Sequence, residues 1–371
     1  MLLFGRYADA EFGGLERHVR SLVDALGNDV DYVNLVEGRG FAEGPPWNCP
    51  VRSSRAIAVL ASQPICPGMP LTARALHREH RFQIAHLHLP DPMSHLAALA
   101  LPRDVRIVLT WHSDIVKQRR FFELYRPFLE RLVRRSDAVI APTPAHFSSM
   151  LQLRELVPPD RRVVVPFGFD MSAFLSPHPR AAALRASLGS RVVFALGRHV
   201  YYKGFEYLIR AMTLVPDARL VLGGSGPLTS SLVELARAQN VSDRVHFTGR
   251  ISDEDLPAYY QACDVFCLPS VEQAEAFGIV QVEAMAAAKP VVCTDLKNGV
   301  NWVNQAGITG VAVAPRDERA LAAVLRRLLG DDALRANLGA AARRRAESQF
   351  SLEALRAGTL AVYRRALERV T

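Results

Sequence analysis

Long apolar runs are missing from this sequence. No stretch approaches the roughly 18 uninterrupted apolar residues of a membrane-spanning helix. The opening "MLLFGRYADAEFGG" turns polar after four residues and so lacks the apolar segment of a secretory signal. Cysteine is scarce, odd in number at five, and scattered, which argues against a disulfide framework and suits a reducing cytosol. Cys263 and Cys267 stand four apart, but no second pair or histidine follows at metal-ligand spacing, so both read as buried structural thiols. Zinc-finger, RRM-like and basic-zipper patterns are absent too, which removes nucleic acid from the expected partners. Low-complexity linkers and short-period repeats are also lacking.

What is present is a soluble globular composition, 49% hydrophobic and 22% charged over 371 residues, long enough for two α/β domains. Lys and Arg number 45 against 37 Asp and Glu, for a formal charge of +8. That moderate excess fits phosphate-bearing small molecules or an anionic lipid surface.

Short apolar runs alternate with amphipathic helices from end to end, which predicts parallel sheets wrapped in helices. In the first half the expected strands are Leu2–Phe4, Val30–Leu35, Ile84–Leu89, Arg106–Thr110, Ala138–Ala141 and Val163–Val165. The clearest helix is Leu15–Leu26, with Gly27 as its stop. Glu37–Pro70, rich in Pro, Gly and Ser, reads as loops plus one strand at most. A second series has strands at Val192–Ala195, Ala218–Leu222, Val245–Thr248, Val265–Leu268 and Pro290–Cys293. Pro166–Pro179 is the natural hinge. Two doubly wound domains in tandem place ligands at the carboxyl ends of strands, here expected to face each other across a cleft.

In "EQAEAFGIVQVEAMAAAKP" Glu275 precedes a helix read as Gly278–Ala288, and Glu283 lies about 7.5 Å along its axis at 1.5 Å per residue. The unpaired N–H groups of that first turn, beginning at Phe277-Gly278-Ile279-Val280, suit an anion. Carboxylates on either side suit the hydroxyls of a ribose and a sugar; chance spacing is the plain alternative. In "LGRHVYYKGFEYLIRAM" Arg198 and Lys203 flank a loop after a strand and suit a diphosphate, or are ordinary surface cations. "LGGSGPL" carries Gly224 and Ser225 in a strand-to-helix turn, with Pro227 at the first helical position and Thr229 where the dinucleotide fingerprint has its third glycine. Gly13 and Gly14 precede the first helix, and paired glycines allow close backbone approach.

His112, just past a strand in "VLTWHSDIVKQ", could bond a sugar hydroxyl or be a satisfied structural histidine; Asp114 is a weaker acceptor-side carboxylate. "KQRRFFELYRPFLERLVRRSD" sets Phe121, Leu124, Tyr125, Phe128, Leu129 and Leu132 on one face. Arg119, Arg120, Arg126, Arg131, Arg134 and Arg135 occupy the rest. Such a helix rests on an anionic bilayer or packs on a core with a solvated basic side. In "ISDEDLPAYY", Ser252 three residues before Asp255 reads as a helix-start cap rather than a metal-binding acidic pair.

Taken in order, "FGGLERHV", "WHSDIV", "PFGFD", "LGRHVYYKGFEYLIRAM", "LGGSGPL", "VHFTGRISDEDLPAYYQACDVFCLPS" and "EAFGIVQVEAMAAAKPVV" resemble the retaining GT-B glycosyltransferases of family 4, also called group 1. The resemblance covers nearly the whole chain. It departs where "DAEF", rather than the more usual proline-containing loop, precedes the glycine pair, and where the first strand is unusually short.

The resemblance implies an α/β GT-B fold of two Rossmann-like domains. An acceptor-binding domain would span 1–172 and a nucleotide-sugar-binding domain 173–352, and residues 353–371 would form a helix returning to the first. It implies that Arg198 and Lys203 grip the donor diphosphate, that Glu283 holds the ribose, and that Glu275 binds the transferred sugar. Gly278, Ile279 and Val280 would offer backbone to phosphate and sugar, and Arg250 and Ile251 would read the base. Gly14 would face the diphosphate from the first domain, with His112 near the reacting carbon. No cofactor or metal is expected, because the nucleotide sugar is a substrate.

"HSDIVKQ" and "GRHVYYKGFEYLI" look most like bacterial mannosyl- and rhamnosyl-transferring members. That implies a GDP-linked mannose-type donor, a glycan or lipid-linked acceptor, and a place in cell-surface polysaccharide synthesis. A UDP-hexose donor and a GT-B sugar-nucleotide epimerase stay open as alternatives. A nicotinamide-dependent oxidoreductase would need an intact G-x-G-x-x-G with an acid about 20 residues on, and neither half supplies both. The expected location is cytoplasmic, with peripheral attachment to the cytoplasmic face of the inner membrane left open.

Overall fold

A computed structural model describes residues 1–5, 14–27, 29–38, 50–60, 63–112 and 119–368. The chain divides into two compact units, Met1–Phe169 with Ser351–Thr371, and Asp170–Phe350.

The first unit begins β1 (Leu2–Gly5), α1 (Gly14–Leu26), β2 (Val33–Gly38), β3 (Val51–Arg55), β4 (Ala58–Leu60), β5 (Gln63–Ile65) and α2 (Met69–His80). It continues β6 (Ile84–Leu89), α3 (Pro92–Leu99), β7 (Arg106–Trp111), α4 (Arg119–Arg135), β8 (Ala138–Ala141), α5 (Pro144–Ser149), α6 (Leu151–Leu156) and β9 (Arg162–Val164). Seven strands form one parallel sheet in the order β3-β2-β1-β6-β7-β8-β9. Every residue of β6 and β8 is buried, as expected for strands covered on both faces. Helix α1 turns Val19, Leu22, Val23 and Leu26 into the core. It stops at Gly27, whose φ of 48° is a left-handed cap that glycine adopts without penalty.

Between Glu37 and Pro70 the sequence reading fell short. Among the described residues three strands begin there: β3 joins the main sheet at its edge and β4–β5 form an antiparallel hairpin. The "VRSSR" of β3 has only Ser54 buried, so an edge strand facing solvent left no apolar alternation to read.

The second unit holds α7 (Ser172–Leu175), α8 (Ala181–Leu188), β10 (Val192–Leu196), α9 (Phe205–Met212), β11 (Arg219–Gly223), α10 (Thr229–Ala238), β12 (Val245–Gly249) and α11 (Leu256–Ala262). Then come β13 (Val265–Leu268), α12 (Ile279–Ala286), β14 (Val291–Thr294), α13 (Gly299–Val303), β15 (Gly310–Val313), α14 (Glu318–Gly330) and α15 (Asp332–Gln349). Its parallel sheet runs β12-β11-β10-β13-β14-β15. Strand β15 was not anticipated. It opens on Gly310, where a Cβ would fall 1.9 Å from the Val291 carbonyl oxygen. The close approach of β14 thus demands a residue of low strand propensity.

The last helix, α16 (Leu352–Glu368), belongs to the first unit. Its Leu355, Val362, Tyr363 and Ala366 share a core with Val19, Leu22 and Leu26 of α1. The seam is tight: a Cβ on Gly168 would lie 2.6 Å from both Leu355 Cβ and the Ser351 carbonyl oxygen. Both sheets therefore have a doubly wound order that reverses once, between β1 and β6 and between β10 and β13. At such a reversal the loops leaving the two strands part to opposite faces and leave a crevice.

Candidate active site

In the second unit the loop after β10 carries Arg198 and a 3-10 turn ending at Lys203, and the loop after β13 carries Ser270 and Glu275. Gly204, at φ 63°, caps α9; a Cβ there would meet the Pro269 carbonyl oxygen at 2.2 Å. Only glycine both takes that conformation and lets the two loops touch. Their contact closes on an ion pair, Lys203 Nζ to Glu275 Oε2 at 2.5 Å, with the residues 9% and 8% exposed. Ser270 Oγ donates to the same carboxylate oxygen at 3.0 Å. Asn298 Nδ2 holds the backbone behind it, donating to the Glu275 carbonyl at 2.7 Å. Buried charges cost several kcal/mol each to desolvate, so the pair persists only because these bonds satisfy it. Sequence reasoning gave the two residues separate tasks, on phosphate and on sugar; the structure shows them bonded to each other.

The glycine-rich turn after β11 lies on the loop after β10. The Gly197 N–H donates to the Gly223 carbonyl (3.1 Å), the His199 N–H to that of Ser225 (3.0 Å), and the Leu228 N–H to that of His199 (3.1 Å). Gly224 sits at φ 105°, with its missing Cβ only 2.0 Å from the Gly197 carbonyl oxygen. Thr229 stands where a third glycine was looked for, and its hydroxyl closes the turn by accepting the Gly226 N–H at 2.9 Å and meeting His199 Nδ1 at 2.9 Å. Pro227 falls two residues before α10 rather than at its first position.

Arg198, Ser225 and Arg250 are exposed along this rim, and Ile251 lies over Gly223. His199, fully buried and edge-on to Phe205 at 5.5 Å, is the residue that sequence reading missed here. A charge after a strand, as at Arg198, suggests a ligand, and a histidine beside it does not.

Gly278, at φ 71°, caps α12; a Cβ there would strike Leu268 Cδ2 at 2.6 Å. The helix is shorter than the predicted 278–288 because Ala288 turns left-handed at φ 57° before Lys289-Pro290. Phe277 is buried edge-on to Phe350 at 5.9 Å, and Ile279 and Val280 form a half-buried first turn. Glu283 accepts from the Tyr260 hydroxyl at 2.7 Å, which also reaches the Val280 carbonyl at 3.0 Å. Asp255, set aside as a metal ligand, is paired with Arg180, and its N–H donates to Ser252 Oγ at 3.1 Å. Cys263 and Cys267 are buried free thiols.

In the first unit Gly14 opens α1, while Gly13 and Asp114 lie outside the described residues. His112 follows β7, half-buried, with Phe167 stacked on it at 5.4 Å and 19°. It does not stand alone. His88 Nδ1 faces His112 Nε2 at 3.0 Å, and His18 of α1 packs edge-on to both rings, at 5.4 and 5.2 Å. His86, stacked on His88, bonds Tyr363 and Thr110 at 2.7 Å each. Burial holds all four imidazoles neutral, pushing His18 and His86 down to about 3. The signal that could have found two of them, His86 and His88, is "HLH" in β6, since residues two apart share one face of a strand.

The basic helix α4 buries Phe122, Leu129, Leu132 and Val133 in the first core and leaves Phe128 53% exposed. Its apolar face is thus rotated from the expected one. Arg126 pairs with Glu130, and Arg135 donates to the Ala98 and Leu101 carbonyls. The side chains of Arg119, Arg120, Phe121 and Leu124 lie outside the description.

Known families match both halves. Residues 181–345 fit "Glycosyl transferases group 1" and residues 12–173 fit "Glycosyltransferase Family 4". An O-antigen chain mannosyltransferase C of Escherichia coli is 31% identical over 288 residues, 76% of either chain. The chain belongs to the group 1 glycosyltransferases.

Other relatives of this glycosyltransferase include the D-rhamnosyltransferase WbpZ of Pseudomonas aeruginosa, 32% identical over 66% of this chain and 63% of its own length. Among solved structures, a sucrose-phosphate synthase from Thermosynechococcus elongatus superposes with a TM-score of 0.78 at 25% identity, over 98% of each chain. The Anabaena Alr3699/HepE structure reaches 0.80 at 22% identity, over 98% of this chain and 99% of that one. These neighbours have the GT-B fold, and the two parallel-sheet α/β units described above are that fold. Among the described residues of the glycosyltransferase, no helix is long and apolar enough to cross a membrane.

Proposed function

We propose that this glycosyltransferase moves a mannose-type sugar from a GDP-linked donor to a glycan or lipid-linked acceptor of a cell-surface polysaccharide, with retention of anomeric configuration. The observation that carries the reading is the Lys203–Glu275 pair at the strand-order reversal of the second sheet. It fixes one cation and one polyol-recognising carboxylate within one hydrogen bond of each other. Names of relatives support the sugar and pathway: a mannosyltransferase and a rhamnosyltransferase.

The donor's diphosphate would lie against Arg198, Lys203 and the first-turn N–H groups of α12, which stabilise charge as the glycosidic bond loosens. Those cations do the work that a divalent metal does in other sugar transferases, so we infer that transfer needs no metal. The acceptor hydroxyl would enter on the face the leaving phosphate occupies and pass its proton to that phosphate. Glu275, tied down by Lys203 and Ser270, would position sugar hydroxyls and not form a covalent bond. Glu283 would hold the ribose, Ile251 and Arg250 the base, and His112 a hydroxyl near the reacting carbon. The protein would work at the cytoplasmic face of the inner membrane, with the exposed Phe128, Arg131 and Arg134 of α4 toward anionic lipid.

Glu275→Ala should lower transfer roughly 100-fold or more, about 2.7 kcal/mol of barrier. Turnover of that variant at the wild-type rate would end the assignment. A panel of nucleotide sugars, assayed for free nucleoside diphosphate with and without lipid-linked acceptor, separates the readings. Acceptor-dependent release from GDP-mannose supports this one. Release from UDP-hexoses alone replaces the donor, and donor turnover without acceptor points to an epimerase.

A further inference from the structure

His18, His88 and His112 come from three separate elements: helix α1, strand β6 and the loop after β7. One ring nitrogen of each lies within 4.8 Å of the other two. Three converging imidazoles, two buried and His112 half-buried, need a reason, because each buried ring carries a donor and an acceptor that must be matched away from water. The matching here is incomplete. Among the described residues, His18 Nδ1 is buried and has no hydrogen-bond partner; His88 Nε2 is likewise unmatched, but it is not the nitrogen that faces His112. His86, the fourth ring of the group, is satisfied at both nitrogens by Tyr363 and Thr110 and is not available. It serves instead as a plate against His88, 4.8 Å away and 24° from parallel. Phe167 does the same for His112.

We propose that His18, His88 and His112 form a binding site for a divalent transition-metal cation of the zinc type. Three neutral imidazole nitrogens are the donor set that Zn2+, Co2+, Ni2+ and Cu2+ prefer, and Mg2+ and Ca2+ with their demand for oxygen do not. Zn–N bonds of about 2.0–2.1 Å put tetrahedral ligand nitrogens roughly 3.4 Å apart. His88 Nδ1 and His112 Nε2 already face each other at 3.0 Å, and closing the third ring needs a movement on the order of 1 Å, within the reach of side-chain rotation. At present one proton must lie between those two nitrogens. A cation in its place would leave His88 protonated on Nε2 and both lone pairs directed at the metal, with a fourth position open. His112 also carries the sugar-hydroxyl role proposed above, so metal uptake, and not transfer, is the readout that separates the two.

Chelator-stripped full-length protein, dialysed against Zn2+ and assayed by elemental analysis, should take up one equivalent. Co2+ in its place should give the visible absorption of a tetrahedral nitrogen site. His18→Gln and His88→Gln should each lose that equivalent, and His80→Gln, at the exposed end of α2, should keep it. Absence of stoichiometric uptake by the wild type, or its retention in both cluster variants, overturns the proposal. Should either variant fail to fold, wild-type protein with 15N-labelled imidazoles decides. Zn2+ must shift three ring systems together, and a shift confined to other histidines is again a refutation.

Discussion

The two units place buried polar groups at the carboxyl edge of the same kind of sheet, yet they resolve the cost of burial in opposite ways. The second pairs full charges, an ammonium against a carboxylate at 2.5 Å. The first keeps its imidazoles neutral, with burial as the main cause. A paired charge is always present and suits holding a charged ligand. A neutral imidazole offers a lone pair and suits a hydroxyl or a metal. Under the proposals above, the difference would divide the chemistry: fixed electrostatics in one unit, lone-pair chemistry in the other.

The harshest test of this contrast is to unpair the charges. Lys203→Met leaves Glu275 buried and uncompensated and should destabilise the protein by about 3–5 kcal/mol, in addition to abolishing transfer. The double variant Lys203→Met/Glu275→Met removes both charges and should recover most of the stability but none of the activity. Thermal unfolding with parallel transfer assays checks both. A double variant no more stable than the single would show that the pair is not what makes the single variant unstable.

Acid should strike the other unit. Eight of the 11 histidines, at 18, 77, 80, 86, 88, 95, 112 and 146, fall in the first unit. Outside the metal-site cluster, burial pushes His95 and His146 down to about 4. The unfolded chain binds their protons near 6.5 and the folded chain near 4, so their stabilisation is whole above pH 6.5 and drains away as pH falls toward 4. Each costs about 1.4 kcal/mol per pH unit across that window. Hydrogen exchange followed from pH 7 to 4 should show first-unit amides losing protection before those of the second. Simultaneous loss would refute the division.

How much of this could be read in advance depends on how local the cause is. Strands β8 and β13 match the sequence reading to the residue because buried parallel strands are short unbroken apolar runs, and β6 matches it too although His86 and His88 interrupt its apolar residues. Gly204, Gly224 and Gly278 announce close approaches but not what is approached. Lys203 and Glu275 meet across 72 residues of chain, a distance at which periodicity says nothing; the strand-order reversal brings them together. His18 and His88 escaped for the same reason, since their convergence on His112 is a property of sheet order and not of any one segment. The reading of His112 alone thus found one member of a group.

Between the large and small effects stands Gly278→Ala. The left-handed φ of 71° alone should cost about 1–2 kcal/mol, and the new Cβ would press on Leu268 Cδ2. A raised KM for the donor with a modest loss of melting temperature is the expected split, because the residue caps the helix whose first turn is proposed to face the phosphates. An unchanged KM would separate this helix end from donor binding.

The smallest expected effect concerns the acidic triplet 253–255, which carries the spacing of a metal-binding pair. Asp255 is occupied elsewhere: it pairs with the exposed Arg180 and its backbone N–H is held by Ser252. An ion pair between partly exposed side chains contributes only about 0–1 kcal/mol. Asp255→Asn should therefore change stability by less than about 1 kcal/mol. Transfer should stay within about two-fold of wild type, under 0.5 kcal/mol of barrier, with and without chelator. A larger, metal-dependent loss would mean that the second unit also relies on a cation other than Arg198 and Lys203, and the contrast between fixed charge and bound metal would no longer separate the units.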